Sequence, residues 1–104
     1  MSSPSAQALR EKRDAKAIPH LEQYAPVWIV DEKIITEDSA IQFSAVFQHP
    51  EYGWVNRRYR YDGFNNVLYH KGQVAVAESE ALRIQESDPY IAVLVTDIPN
   101  AYGG

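Results

Sequence analysis

Residues 54–61 carry the most distinctive chemistry in this sequence, because arginines and aromatic residues alternate closely there. On a β-strand, alternate side chains point to one face, so Trp54, Arg58 and Arg60 would lie together. Arginine donates paired hydrogen bonds to carboxylates and phosphates, and tryptophan offers a large apolar contact. This combination is typical of a surface that binds an acidic protein, or that stacks on the bases of a nucleic acid.

The overall charge favours a protein partner. The chain has a formal net charge of −4 at pH 7, whereas nucleic-acid-binding domains are usually basic. Tyr69 is expected beside Arg58 on the next strand, where it would extend the surface. We therefore predict a non-catalytic interaction module that docks on an acidic macromolecular partner through Trp54, Arg58, Arg60 and Tyr69. A nucleic-acid-binding β domain is the alternative.

The same arginines also have a purely structural interpretation. Residues 31–38 and 78–88 hold most of the acidic side chains, and the arginines would then pair with these acids inside the fold. This interpretation predicts ion pairs between the arginines and the chain's own carboxylates.

The spacing of the remaining polar residues gives little indication of catalysis. The histidines His20, His49 and His70 are far apart, and none has a second ligand at a spacing typical of a metal site. No phosphate-binding loop, dinucleotide fingerprint or nucleophile elbow occurs in the sequence. We therefore predict no metal, no cofactor and no catalytic residue. A small enzyme without a recognisable motif stays an alternative, because such sites can leave no local pattern.

The sequence ends in Gly103 and Gly104, which suggests a function of a different class. Sulfur-carrier and ubiquitin-like proteins use a terminal diglycine for conjugation, because its open backbone is unhindered. Their fold also requires a long helix after the first hairpin, and the sequence predicts strands there. A frayed terminus is the simpler explanation of the two glycines.

Length and composition are those of one small soluble domain. The chain has 104 residues, of which 45% are hydrophobic and none is cysteine, which excludes disulfides and thiolate metal sites. No apolar run approaches the roughly 20 residues of a membrane span, and the N-terminal residues contain no apolar signal core. We expect a cytoplasmic protein without a membrane contact, and a homo-oligomer is left open.

Side-chain parity predicts the register of the central hairpin. Residues 41–48 alternate between apolar and polar side chains, which is typical of a half-buried strand, and residues 49–53 form a loop before the second strand. If Gln48 faces Trp54, then Phe43 faces Tyr59, and the basic residues share the other face. Arg57 then falls on the core face opposite Ala45, where it needs a carboxylate or an exit along its aliphatic stem.

The remaining elements follow from breaks in the pattern. Asp62–Gly63 predicts a tight hairpin, with a longer loop that ends at Asn65 as the alternative. Lys71–Gly72 predicts a second tight turn. A helix over residues 6–18 is predicted to end before Pro19, and residues 27–30 and 34–36 are predicted as strands separated by a turn at 31–33. Residues 81–86 fit a strand slightly better than a helix, and the apolar run 90–96 fits a buried strand.

Together these features predict a mainly β fold, with α+β as an alternative. The antiparallel meander would form a small roll or a partly closed barrel, with a weak N-terminal helix on one side. We divide the chain into a disordered start and helix (1–18), an antiparallel β domain (19–97) and a flexible C-terminal tail (98–104). The predicted core consists of Trp28, Ile29, Ile41, Phe43, Phe47, Val55, Tyr59, Leu68, Ile91, Val93 and Val95.

Overall fold

Four antiparallel strands form one open sheet in the computed structural model, which describes residues 5–87. The strands are β1 (Trp28–Ile35), β2 (Ala40–His49), β3 (Gly53–Asp62) and β4 (Val67–Ala75), and they lie side by side in chain order. Helix α1 (Ala6–Leu21) precedes the sheet and helix α2 (Glu78–Ser87) follows it. The predicted mainly β meander with an N-terminal helix is therefore confirmed. Within residues 5–87 the sheet is open, with β1 and β4 as its edges.

The pairing of β2 with β3 confirms the register that side-chain parity predicts. Gln48 pairs with Trp54, Phe43 with Tyr59, and Ile41 with Tyr61. The rings of Phe43 and Tyr59 stack with their centroids 5.3 Å apart. Cross-strand aromatic pairs of this kind stabilise a sheet, and a slip of one residue would exchange the two faces.

Helix α1 covers one face of the sheet, called the core face below. Its buried side chains recur every four residues along one stripe: Leu9, Arg13, Ala17 and Leu21. The stripe packs against the buried sheet residues, and six of the predicted core residues are among these: Ile29, Ile41, Phe43, Phe47, Val55 and Tyr59. Trp28 and Leu68 are partly buried against the core. Ile91, Val93 and Val95 lie outside the described residues, as does the predicted tail 98–104.

The prediction that α1 ends before Pro19 is wrong, because the helix continues to Leu21. Proline removes one backbone donor and so weakens a helix interior. The last turn is still formed, since Leu21 is fully buried and the N–H of Glu22 donates to the carbonyl of Ile18. Burial of an apolar side chain offsets the lost hydrogen bond.

No helix within residues 5–87 combines the length and apolar character that a membrane crossing requires.

A bulge replaces the turn that the sequence predicts at residues 31–33. Residues 28–35 form one strand, with a register shift between the pairs Val30–Ser44 and Lys33–Gln42. Asp31 adopts a positive φ of 57° at this point. A bulge adds one residue to one strand and re-aims its side chains, so Asp31 and Glu32 are presented to different surroundings.

Strand β4 is also continuous, so the predicted tight turn at Lys71–Gly72 is wrong. A second register shift lies there, because Arg58 pairs with Gly72 while Tyr59 pairs with His70. Lys71 is the extra residue between these pairs. The tight hairpin predicted at Asp62–Gly63 is also wrong, since Asp62 pairs with Val67 across a four-residue loop. This loop ends at Asn66, one residue beyond the predicted longer alternative.

Residues 78–87 form a helix, so the preference for a strand over 81–86 is wrong. The apparent alternation of Leu82 and Ile84 is misleading, because Leu82 is 45% exposed and Ala81 is the buried residue. Glu78 and Glu80 lie in the first turn, where negative charge interacts favourably with the helix dipole. The strand predicted over residues 90–96 lies outside the described residues.

Candidate binding face

The face of the sheet opposite α1, called the second face below, is graded from apolar to cationic. At one end Trp28 pairs with Val46, which is fully buried. Farther along, Ser44 pairs with Arg58, and then Gln42 pairs with Arg60. The alternation of β3 positions both arginines on this face, because they are two residues apart.

A concavity of about 480 Å³ lies at the cationic end. We call it the cationic pocket, and it is lined by Asp31, Gln42, Phe43, Ser44, Arg58, Tyr59, Arg60 and Lys71. A smaller concavity of about 330 Å³ adjoins it and shares Asp31, Ser44 and Arg58. The second concavity extends to Val74, which is 62% exposed, so the cationic end continues into a partly apolar groove.

The two strand bulges supply charged residues that regular pairing would not supply. Asp31 lines the cationic pocket, whereas the next residue, Glu32, accepts hydrogen bonds from Arg10 and Arg13 of α1. Lys71 reaches the pocket from the bulge on β4. Neither residue was among the candidates predicted from the sequence. In the sequence, both bulges resemble turns, so they did not indicate which face their charged residues would reach.

Within residues 5–87 the cations of this pocket form no close ion pair with the protein's own acids, although a hydrogen bond from Asn65 and, to a smaller extent, the charge of Arg60 lower the pKa of Asp62. The ion pairs of this part of the chain join Arg10 and Arg13 to Glu32, Arg13 to Asp14, and Arg83 to Glu80. Arg58, Arg60 and Lys71 form none of them. Within the described residues, the structural interpretation of the arginines therefore lacks the ion pairs that it predicts.

The structure brings together some of the sequence candidates and separates others. Arg58 and Arg60 line the same pocket, and Tyr69 pairs with Arg60 rather than with Arg58. Tyr69 is 46% exposed. Trp54 lies four residues from Arg58, about 13 Å along the strand, and its ring centroid is 6.5 Å from that of Trp28. Trp54 thus lies at the apolar end of the second face. Gly103 and Gly104 are outside the described residues.

A second polar group lies on the core face around Arg57. Arg57 is opposite Ala45, as predicted, but within residues 5–87 it has no carboxylate partner, and it does not extend to solvent, since it is only 9% exposed. Its guanidinium donates to Gln73 at 2.7 Å and to the Tyr59 hydroxyl at 3.2 Å. It also lies over the ring of Tyr24, 5.1 Å from the centroid. Neutral acceptors and aromatic rings together satisfy this cation.

His20 of α1 joins the same group through a contact of 3.0 Å between its Nε2 and the Tyr59 hydroxyl. Burial lowers the pKa of His20, and the neighbouring charges of Arg57 and His70 lower it further. Burial also raises the pKa of Tyr59, although Arg57 opposes that shift. Near neutral pH the His20–Tyr59 pair is therefore uncharged, so it adds no second positive charge beside the buried Arg57.

Metal binding finds no support in the described part of the chain, where no three histidine or acidic side chains are grouped closely enough to hold an ion. The histidines take part in ring contacts instead: His20 with Tyr59, His49 with Tyr24, and His70 with Tyr59.

No protein-family model, no curated protein and no solved structure matches this chain.

Proposed function

We propose that this protein is a non-catalytic binding module that takes an acidic segment of a partner protein on its second face. One observation carries the proposal: Arg58, Arg60 and Lys71 line a single pocket with one acid, Asp31, and form no ion pair within residues 5–87. Cations without an ion-pair partner attract carboxylates, and an arginine guanidinium can bind one carboxylate with two parallel hydrogen bonds.

The groove that continues from the pocket supports an extended segment as the ligand. From Arg60 to Trp54 the strand spans about 20 Å, which corresponds to roughly six extended residues. Acidic residues of the partner would lie over the arginines, and Tyr69 and Val74 would contact apolar ones. Trp54 is the predicted anchor at the far end, where its remaining exposed surface would meet an apolar side chain of the partner. A cytoplasmic location stays a prediction.

Fluorescence anisotropy with a labelled acidic peptide tests the proposal. The double variant Arg58→Gln, Arg60→Gln should bind about 2- to 30-fold more weakly, since exposed ion pairs contribute about 0.2–1 kcal/mol each. The control is Lys12→Gln, Lys16→Gln, which removes the same charge from α1. Because Lys12 Nζ also donates to the Gly63 carbonyl at 3.2 Å, the control is first shown to keep the wild-type urea midpoint. Equal weakening by both double variants would mean that only net charge matters, and the proposed surface would then be rejected.

The same assay separates a protein partner from a nucleic acid. A single-stranded oligonucleotide should bind more weakly than the acidic peptide and should lose affinity steeply with salt, because each neutralised phosphate releases counterions. If the oligonucleotide binds more tightly at physiological salt, and Arg58→Gln, Arg60→Gln abolishes that binding, the nucleic-acid alternative replaces the proposal.

A further inference from the structure

The charge of the cationic pocket points to a ligand more specific than an acidic side chain. Three cationic side chains and one carboxylate line it, which gives a formal charge of +2 at neutral pH. A single glutamate or aspartate of the partner would neutralise half of that charge. A phosphate monoester carries a charge of about −1.5 to −2 at pH 7 and presents three acceptor oxygens, so it matches the pocket in both respects.

The arrangement of the donors also fits a compact oxyanion. Arg58 and Arg60 lie two residues apart on β3, which separates their backbones by about 7 Å. Lys71 enters from the neighbouring strand through the bulge at Gly72, which pairs with Arg58. Side chains on two strands thus converge on one volume, and arginine forks with a lysine point charge are the usual protein donors to phosphate. On β2, Ser44 and Gln42 add neutral polar groups to the lining.

We propose that the cationic pocket binds a phosphorylated side chain of the partner protein, with Arg58, Arg60 and Lys71 as the phosphate ligands. The proposal rests on the proposed function, because it names the group that the acidic segment presents. Asp31 lowers the formal charge of the pocket lining from +3 to +2, so a phosphate dianion matches that charge, although Asp31 itself repels the ligand. The groove beside the pocket receives the residues that flank the phosphorylated position.

Nuclear magnetic resonance titration of the full-length, ¹⁵N-labelled protein tests the inference. The ligands are short acidic peptides that are identical except at the central residue, which is serine, glutamate or phosphoserine, together with inorganic phosphate. We expect the phosphoserine peptide to bind about tenfold more tightly than the glutamate peptide, which corresponds to about 1.4 kcal/mol. The largest shifts should fall on the amides of Arg58, Arg60, Lys71 and Gly72.

Variants of exposed pocket residues then identify the charge that sets the preference. Lys71→Gln lowers the pocket charge to +1, and it should remove the preference for phosphoserine while leaving the glutamate peptide bound within about threefold. Lys16→Gln, at an exposed position on α1, should leave the preference unchanged. Asp31→Asn should tighten binding of both peptides. The comparison of the peptides uses the wild-type protein, so it tests the inference even if a variant fails to fold.

Each contrary result has a distinct meaning. Equal affinities for the glutamate and phosphoserine peptides would overturn the phosphate inference and leave the proposed function in place. Failure of all the acidic peptides to bind would reject both. Shifts from inorganic phosphate as strong as those from the phosphoserine peptide would mean that the pocket binds a free anion, and the inference of a phosphorylated protein would then be wrong.

Discussion

The Tyr59 hydroxyl lies 3.0 Å from Nε2 of His20 and therefore links the middle of the sheet to the last turn of α1. Burial and the charges of Arg57 and His70 lower the pKa of His20 in the folded protein. The unfolded chain then binds more protons than the folded one near the ordinary histidine pKa of about 6.5. The stability that neutral His20 contributes is present above that pH and is lost as the pH falls below it.

We therefore expect the free energy of unfolding to decrease between pH 7.5 and pH 5, as measured from urea midpoints at each pH. The groups around His20 are Tyr24, Arg57, Tyr59 and His70, and none of them is an acid that would reverse the sign. His20→Gln keeps a hydrogen-bonding group near Tyr59 but does not titrate, so it should flatten this part of the profile. An unchanged slope in His20→Gln would contradict the assignment.

Arg57 and Arg58 are neighbours on opposite faces of β3, and they should respond differently to truncation. Arg57→Ala removes two hydrogen bonds and the contacts with Tyr24 and Phe47, and we expect it to cost about 2–3 kcal/mol of unfolding free energy. Arg58→Ala changes an exposed side chain and should stay within about 0.5 kcal/mol. Chemical denaturation of both variants gives the comparison, and equal losses would contradict it.

Phe47 and Phe64 form a similar matched pair for the core. Phe47 is fully buried and stacks on Tyr24 with a centroid separation of 4.4 Å, whereas Phe64 is 74% exposed. Phe47→Ala should cost about 3–5 kcal/mol, which combines lost burial with a cavity. Phe64→Ala should change the unfolding free energy by about 0.5 kcal/mol or less. A wild-type denaturant midpoint for Phe47→Ala would mean that the core face is wrongly assigned.

Gly63 should not tolerate a side chain. A Cβ atom there would lie 2.6 Å from the carbonyl oxygen of Ser39 and 3.0 Å from Cδ1 of Leu9, while the Gly63 N–H donates to that same carbonyl at 2.7 Å. Gly63→Ala must therefore move the loop or α1, and we expect a loss of about 1–3 kcal/mol. Gly53 has a positive φ of 75° and free space around it. Gly53→Asn is the control, because asparagine tolerates that conformation, and a comparable loss in both variants would refute the steric explanation.

The central hairpin could be predicted from the sequence because its register depends on side-chain type alone. Opposite residues share a face, and a slip of one residue in either direction would place Phe43 opposite Arg58 or Arg60. The faces of Arg57 and Arg58 followed from the same parity. These features belong to one regular ladder, in which local pattern and tertiary contact agree.

The bulges and the helices depend on contacts that the local pattern does not contain. Lys71–Gly72 has the composition of a turn, yet β4 continues because the ladder with β3 extends on both sides of it. Leu82 and Ile84 alternate with polar residues as in a strand, but the buried contact of this segment is at Ala81. The charge of the cationic pocket could not be predicted either, because Asp31 and Lys71 reach it from bulges that the local pattern does not reveal.

The bulge on β1 contains one residue more than the sheet requires. Val30 and Lys33 pair with Ser44 and Gln42, so two residues of β1 face the single position Phe43 of β2. Deleting Asp31 alone would return the strand to regular pairing and would keep Glu32 on the side of Arg10 and Arg13. Such a deletion spares the architecture and alters only the groove, where it removes the single carboxylate. Loss of that one codon would therefore change the charge of the groove while the pairing of the sheet is kept.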